Sequence, residues 1–263
     1  MRNIPVAEVD DLDRAVLAIG TDYPHDYLLA RHEHRRAQVL YAATGVMRVE
    51  TAEGAWTVPT ARAVLIPPGT PHQVTMVGVS TRSLYIEPGA VPWFPPHCRV
   101  VEVSALLRAL ILDAVEMEPR YPDHGRDATL VSLILHELRN LTPLPLNVPF
   151  PTDPGLRRLC EAFLRAPDIH DPPDRWAAAL NVSARTLGRL FHRDTGMSFQ
   201  QWRQRACIAH SLQQMAAGVP VTRLAAALGY DNPAAFTAAF KKLLGRPPTA
   251  FHTGAGPGRR GAR

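Results

Sequence analysis

Between residues 27 and 87, apolar positions come in short runs broken by glycine and proline. Val39-Leu40-Tyr41, Val46-Met47-Arg48-Val49, Ala55-Trp56-Thr57-Val58, Ala63-Val64-Leu65-Ile66, Gln73-Val74-Thr75-Met76 and Ser83-Leu84-Tyr85-Ile86 have the length and the branched and aromatic content of strands. Thr51-Ala52-Glu53-Gly54 reads as a hairpin turn and Pro67-Pro68-Gly69 as another loop. Short strands at this spacing predict a β-barrel or sandwich. Residues 1–22 are acidic and poorly patterned, which predicts at most a short strand or arm.

After a proline-rich connector, Val91-Pro92-Trp93-Phe94-Pro95-Pro96, the period lengthens. Leu106, Leu107, Leu110, Ile111 and Ala114 recur at helical spacing, and so do Leu130, Leu133, Ile134, Glu137 and Leu138. Pro119 to Arg126 separates these two amphipathic helices. They suit either a dimer interface or a cover packed back on the barrel. Thr142 to Pro154 reads as a Pro-rich linker and domain boundary. Beyond it, Leu156, Leu159, Phe163 and Leu164 mark one helix. Ser198 to Ala217 marks a long one, with Phe199, Trp202, Ala206, Ala209, Leu212 and Ala216 on its buried side.

Residues 175–251 contain an internal repeat. Leu187, Phe191 and Gly196 return 49 residues later as Phe236, Phe240 and Gly245, whereas Leu180 and Leu228 are 48 apart. The second turn therefore carries one extra residue. Each unit is an alanine-rich helix, a turn holding Asn or Gly, and a second helix starting at a capping residue, Ser183 or Asp231/Asn232. Leu187 and Phe191 share one buried stripe, leaving Arg185, Thr186, Gly188, Arg189 and His192 on the opposite face. Two arginines four apart suit phosphate oxygens or the acceptor edge of guanine. A solvated helix face would carry the same residues once; two such units in tandem favour double-stranded DNA.

Charge supports this division. Residues 1–150 hold 13 Lys and Arg against 17 Asp and Glu, net −4; residues 151–263 hold 16 against 7, net +9. A basic half beside an acidic half fits a polyanion-binding domain joined to another module. The 263 residues suffice for two domains, and 46% hydrophobic content is ordinary for a globular protein. With no run of 18 apolar residues and no signal-like start, the expected location is cytoplasmic, with no membrane contact. Cys98, Cys160 and Cys207 are widely separated, so neither a disulfide framework nor a cysteine metal site is implied.

The C-terminal segment resembles the DNA-binding domain of AraC-family transcription regulators. The residues carrying the resemblance are Gly196-Met197-Ser198-Phe199-Gln200-Gln201-Trp202-Arg203, Val221-Thr222-Arg223-Leu224-Ala225, Ala227-Leu228-Gly229-Tyr230 and Phe236, Phe240, Lys241, Gly245, Pro247, Pro248 and Phe251. The family often has Arg at the position of Ala238. The resemblance implies a regulator of transcription, without enzymatic activity, that contacts RNA polymerase. The expected DNA-binding residues are Ser183, Arg185, Thr186, Gly188, Arg189 and His192 in the first unit. In the second they are Asn232, Ala234, Thr237, Ala238, Lys241 and Lys242.

The N-terminal region resembles a cupin. His32-x-His34 precedes a strand, Gly45 closes the first motif, and Pro67-x-Gly69-x2-His72 matches the second. Metal-binding cupins use such histidines for a divalent metal with a nearby Glu, but Gln38 stands at the corresponding place here. His32 and His34 are expected to alternate onto one strand face, with His72 reaching them across the barrel. His32, His34, Gln38 and His72 then line a pocket for a small-molecule effector, with the three histidines holding a metal, contacting the ligand, or serving as structural polar groups.

The expected fold is α+β multidomain: a cupin-like barrel over 1–98, helical dimerisation segment over 99–150, double helix-turn-helix domain over 151–253 and disordered basic tail over 254–263. The leading reading is an effector-controlled homodimeric transcription regulator; the alternative is a metal-dependent cupin enzyme with a helical C-terminal domain.

Overall fold

The computed structural model describes residues 3–24 and 26–251. The expected basic tail therefore lies outside the described residues. Eleven described strands form two antiparallel sheets. One sheet is ordered β1 (Val16–Asp22), β8 (Ser80–Ile86), β3 (Ala37–Ala42), β6 (Arg62–Ile66), β9 (Arg99–Glu102) and β10 (Pro143–Leu144). The other is ordered β11 (Asn147–Pro149), β5 (Gly54–Pro59), β4 (Val46–Glu50), β7 (His72–Val77) and β2 (Tyr27–His32). All six strands read from the sequence are present. The alternation between Met47, Val49, Val74 and Met76 on one face and Arg48, Glu50, Gln73 and Thr75 on the other sets their register.

Three parts of the sequence reading change. The acidic N-terminus contains a full seven-residue strand, β1, whose first five residues are buried. Its apolar run is short and gives way to Gly20, Thr21 and Asp22 inside an acidic segment, so it carries a weak strand signal. The stretch 142–154, read as a linker, contributes β10 to one sheet and β11 to the other. The barrel also continues through β9, beyond residue 98. These strands are two to four residues long, and β10 and β11 include proline, so they are too short to show a period.

Two helices follow the barrel, α1 (Ala105–Ala114) and α2 (Arg126–Leu138). Leu107, Ile111 and Ala114 of the first, with Leu130, Val131, Ile134 and Leu138 of the second, share a core with Val39, Tyr41, Leu84 and Ile86. Their main apolar stripe thus covers the outer face of the first sheet. Leu106 and Leu133 remain 49% and 38% exposed.

The helical domain consists of α3 (Pro154–Phe163), α4 (Pro173–Ala179), α5 (Ala184–Thr195), α6 (Phe199–Ala216), α7 (Val221–Ala227) and α8 (Pro233–Leu244). Phe163, Trp176, Phe191, Phe199 and Trp202 stack at 5.0–5.9 Å to form the core of its first half. A capping box between Ser198 and Gln201 starts α6. The long helix is buried more widely than its spacing predicts: Cys207, Ile208, Ser211 and Met215 are covered too, and Ala216 only partly. The reason is tertiary. The helix packs across β5, β11 and β4, the Trp202 indole donates to the Pro149 carbonyl at 2.7 Å, and Arg205 donates to Asn147 at 2.9 Å. At the other end Arg246 pairs with Glu102 at 3.4 Å, and the Arg62 guanidinium lies over the Phe251 ring. No described helix is long and apolar enough to cross a membrane.

Candidate DNA-reading face and effector site

The repeat folds as two equivalent units. Asn181 and Gly229 both take left-handed backbone angles in the turn, at φ 53° and 79°. Ser183 caps α5 by accepting from the Thr186 amide, and Asn232 caps α8 by accepting from the Ala235 amide. Leu187, Phe191, Phe236 and Phe240 are fully buried. Gly196 and Gly245 close the two helices at φ 68° and 73°. This anchoring leaves Arg185, Arg189 and His192 exposed on α5, with Thr186 and Gly188 half-buried beside them. On α8, Ala234, Ala238, Lys241 and Lys242 are exposed and Thr237 is half-buried. Ser183 and Asn232 are exposed but their side-chain oxygens are engaged in the caps. Lys241 and Lys242 occupy the last turn of α8, where cations meet the helix dipole favourably.

The histidines converge by a route different from the one the motif suggests. His32 ends β2, whereas His34 lies in the loop before β3, so they do not share a strand face. His72 does not reach across the barrel; it sits on the adjacent β7, paired in register with His32. The ring centroids of His32 and His72 are 4.3 Å apart, and His34 is 5.2 Å from His72. The amide of Gly69, at φ 64°, donates to the His34 carbonyl at 2.9 Å and ties the two histidine loops together.

Each imidazole Nδ1 meets a backbone carbonyl: His32 that of Ala30, His34 that of Arg36 and His72 that of Thr70, at 2.7–2.8 Å. A neutral ring donating from Nδ1 can only accept at Nε2. The His34 Nε2 lies 3.1 Å from the Gln38 amide, whose other end meets the hydroxyls of Ser83 and Tyr85 at 3.2 and 3.1 Å. All donors and acceptors match when Gln38 turns its NH2 to His34 and its oxygen accepts from the two hydroxyls. Burial lowers the His34 pKa and lowers that of His72 to about 4; the Thr70 carbonyl opposes the latter shift while His32, His34 and Arg31 add to it. Burial pushes the Tyr85 hydroxyl up to about 12. His34, His72 and Tyr85 therefore offer neutral hydrogen-bonding groups near neutral pH.

A carbonyl on Nδ1 with Nε2 facing inward is how metal-bound histidines are oriented. Here, however, Gln38 occupies the Nε2 of His34, and among the described residues no group of three or more His, Cys, Asp or Glu is placed to hold a metal ion. The residues as arranged do not fit a three-histidine metal site. Ser83 and Tyr85 belong to the cluster although the motif does not contain them. Their signal was the polar pair two apart on β8, facing Leu40 and Gln38 on β3.

Arg36 supports the cluster from behind. Its side chain is wholly buried, pairs with Asp10 at 2.9 Å and Glu87 at 2.7 Å, and donates to the carbonyls of Leu12 and Arg14. The N-terminal arm is thereby fastened under the loop that presents His34.

Residues 15–139 match the family described as AraC-like ligand binding domain, and residues 176–254 match a helix-turn-helix domain. The HTH-type transcriptional regulator NimR of Escherichia coli is 33% identical over 222 residues, spanning 84% of this chain and 81% of NimR. RipA of Corynebacterium glutamicum is 34% identical over 108 residues, 40% of this chain and 32% of RipA. Among solved structures, ToxT from Vibrio cholerae covers 92% of this chain and 99% of its own at 10% identity, with a TM-score of 0.38. Both domain matches and the similarity to NimR along most of both chains give one answer: the chain belongs to the AraC family of HTH-type transcriptional regulators.

Proposed function

We propose that this regulator reads a specific operator mainly through α5, with α8 positioning it on the duplex. The observation carrying this reading is the unequal chemistry of two equivalent helices. On α5, Arg185 and Arg189 are exposed four residues apart, and each can make two hydrogen bonds to guanine, worth about 1–3 kcal/mol of discrimination. On α8 the exposed face is Ala234 and Ala238, followed by Lys241 and Lys242 in the last turn. Alanine can meet only a thymine methyl, and terminal lysines suit phosphates. The 18 residues of α6 span about 27 Å and hold the two helices apart. Binding-site selection tests the division. Arg185→Ala should relax preference at one base position, whereas Lys241→Ala should weaken all sequences alike and lower the salt slope by about one. The opposite pattern would reverse the assignment.

Operator binding is controlled, in this reading, by a small-molecule effector at His32, His34, Gln38 and His72, not by catalysis there. The acceptor nitrogen of neutral His72 favours a ligand that donates hydrogen bonds. Elemental analysis showing one metal equivalent per chain, lost in a variant with His32, His34 and His72 all changed to alanine, would overturn this reading of the cluster. The protein acts in the cytoplasm as a homodimer in contact with RNA polymerase. Exposed Leu106 and Leu133, left over after α1 and α2 cover the barrel, support a second copy docking there. Sedimentation should show a dimer at micromolar concentration that becomes monomeric in the Leu106→Glu, Leu133→Glu variant; a wild-type monomer both free and on operator DNA would refute it.

A further inference from the structure

The sheet that carries His32 and His72 has a second face. Alternation sends Arg48, Glu50 and Gln73 to the outer side, opposite the histidines. There they meet the helical domain. Arg31, Arg48 and Glu50 from the barrel, with Arg157, Glu161 and Arg165 from α3 and the turn after it, line a cleft of about 360 Å³. This volume falls in the range of small-ligand sites.

The charges in the cleft are not balanced. Glu50 pairs with Arg48 at 2.8 Å and also accepts from Gln73 at 3.1 Å. Glu161 pairs with Arg157 at 2.9 Å. Arg157 is further fixed by donating to the Ala52 carbonyl and lying over the Phe150 ring. Arg31 and Arg165, one from each domain, are exposed and have no carboxylate within ion-pair distance among the described residues. Each of these two guanidiniums presents a fork that matches a carboxylate or phosphate. The predominantly polar lining suits a compact ligand without a long apolar tail.

We propose that this cleft is a second ligand site, separate from the histidine cluster, for a small polyvalent oxyanion: a di- or tricarboxylate or a phosphate. The anion bridges Arg31 of the barrel to Arg165 of the DNA-reading domain and stiffens their docking. The site stands whether or not the histidines hold an effector.

The test is calorimetric titration of the full chain at constant ionic strength, with citrate and with inorganic phosphate as probes. Wild type should bind at least one of them saturably at one per chain, and the preferred probe separates the carboxylate source from the phosphate source. Arg31→Gln and Arg165→Gln should each weaken that binding about tenfold or more, a loss of about 1.4 kcal/mol. Arg189→Gln, which alters an exposed arginine of the DNA face, should leave it within about twofold. Both cleft arginines are exposed, so thermal melts without anion should match wild type; if a glutamine variant melts low, the lysine variant replaces it and should still bind more weakly, having lost the fork. No saturable binding of either probe would overturn the proposal, as would binding that survives in the Arg31 and Arg165 variants or disappears with Arg189→Gln.

Discussion

Protonating His72 places a charge where the fold offers no counter-ion. Burial is the main cause of its low pKa, and the charges of His32, His34 and the more distant Arg31 all disfavour a cation. The unfolded chain takes up this proton near pH 6.5, the folded one only near pH 4. Stability is thus unaffected above about pH 6.5 and falls as pH drops toward 4, by roughly 2–3 kcal/mol from this residue. Urea unfolding of wild type and His72→Gln across this range should give curves that agree in slope above pH 6.5 and diverge below it. Parallel curves throughout would show that His72 does not titrate as described. His34 and His210 are also lowered by burial, so the variant keeps part of the acid sensitivity. The identity of this cluster was legible in the motif; its geometry was not. A register shift between Leu29 and His32 and the Gly69–His34 bond decide where the rings go, and both depend on partners distant in sequence.

At the scale of elements, the repeat is defined by its ends. A Cβ at Gly196 or Gly245 would meet nothing within 4 Å, so substitution there costs backbone strain alone. Gly196→Ala and Gly245→Ala should each destabilise by about 1 kcal/mol. Gly229 is different. A Cβ there would come within 2.4 Å of an Asp168 carboxylate oxygen, so Gly229→Ala should cost more than either. Thermal melts of the three variants check the order; equal losses would mean that the contact relaxes freely. These caps explain why the helical domain was legible along the chain: Ser183, Asn232, Gly196 and Gly245 are local signals, and the stripes Leu187–Phe191 and Phe236–Phe240 are set by helical geometry. The six strands were legible from local signals too: short runs rich in branched and aromatic residues, bounded by glycine and proline. β1 escaped because its apolar run is short and broken by Gly20, Thr21 and Asp22 within an acidic segment, and β9, β10 and β11 because their pairing is entirely non-local.

For the whole molecule, the decisive feature is the seating of α6 on the barrel. No periodicity in the helix announced it, since a helix covered on nearly all sides loses its polar face. Arg157 fastens the same junction through the Ala52 carbonyl and the Phe150 ring, held in place by Glu161 one turn along α3. Arg157→Ala should weaken the docking by about 1–2 kcal/mol. Hydrogen exchange at the β11 amides should then speed up about tenfold while the core of the first sheet stays protected. Unchanged exchange in β11 would mean that Trp202 and Arg205 hold the junction without it.

The passage of residues 143–149 through both sheets also bears on how this protein can be cut and recombined. The ligand-binding family match ends at residue 139, which would seem a natural place to divide sensor from reader. A sensor ending there would lack β10 and β11 and leave the backbone edges of β9 and β5 bare. Bare edges invite pairing with other chains. Chimaeras joined before Thr142 should therefore be prone to aggregation, and those joined after Phe150 should keep the sensor's sheets closed by its own chain.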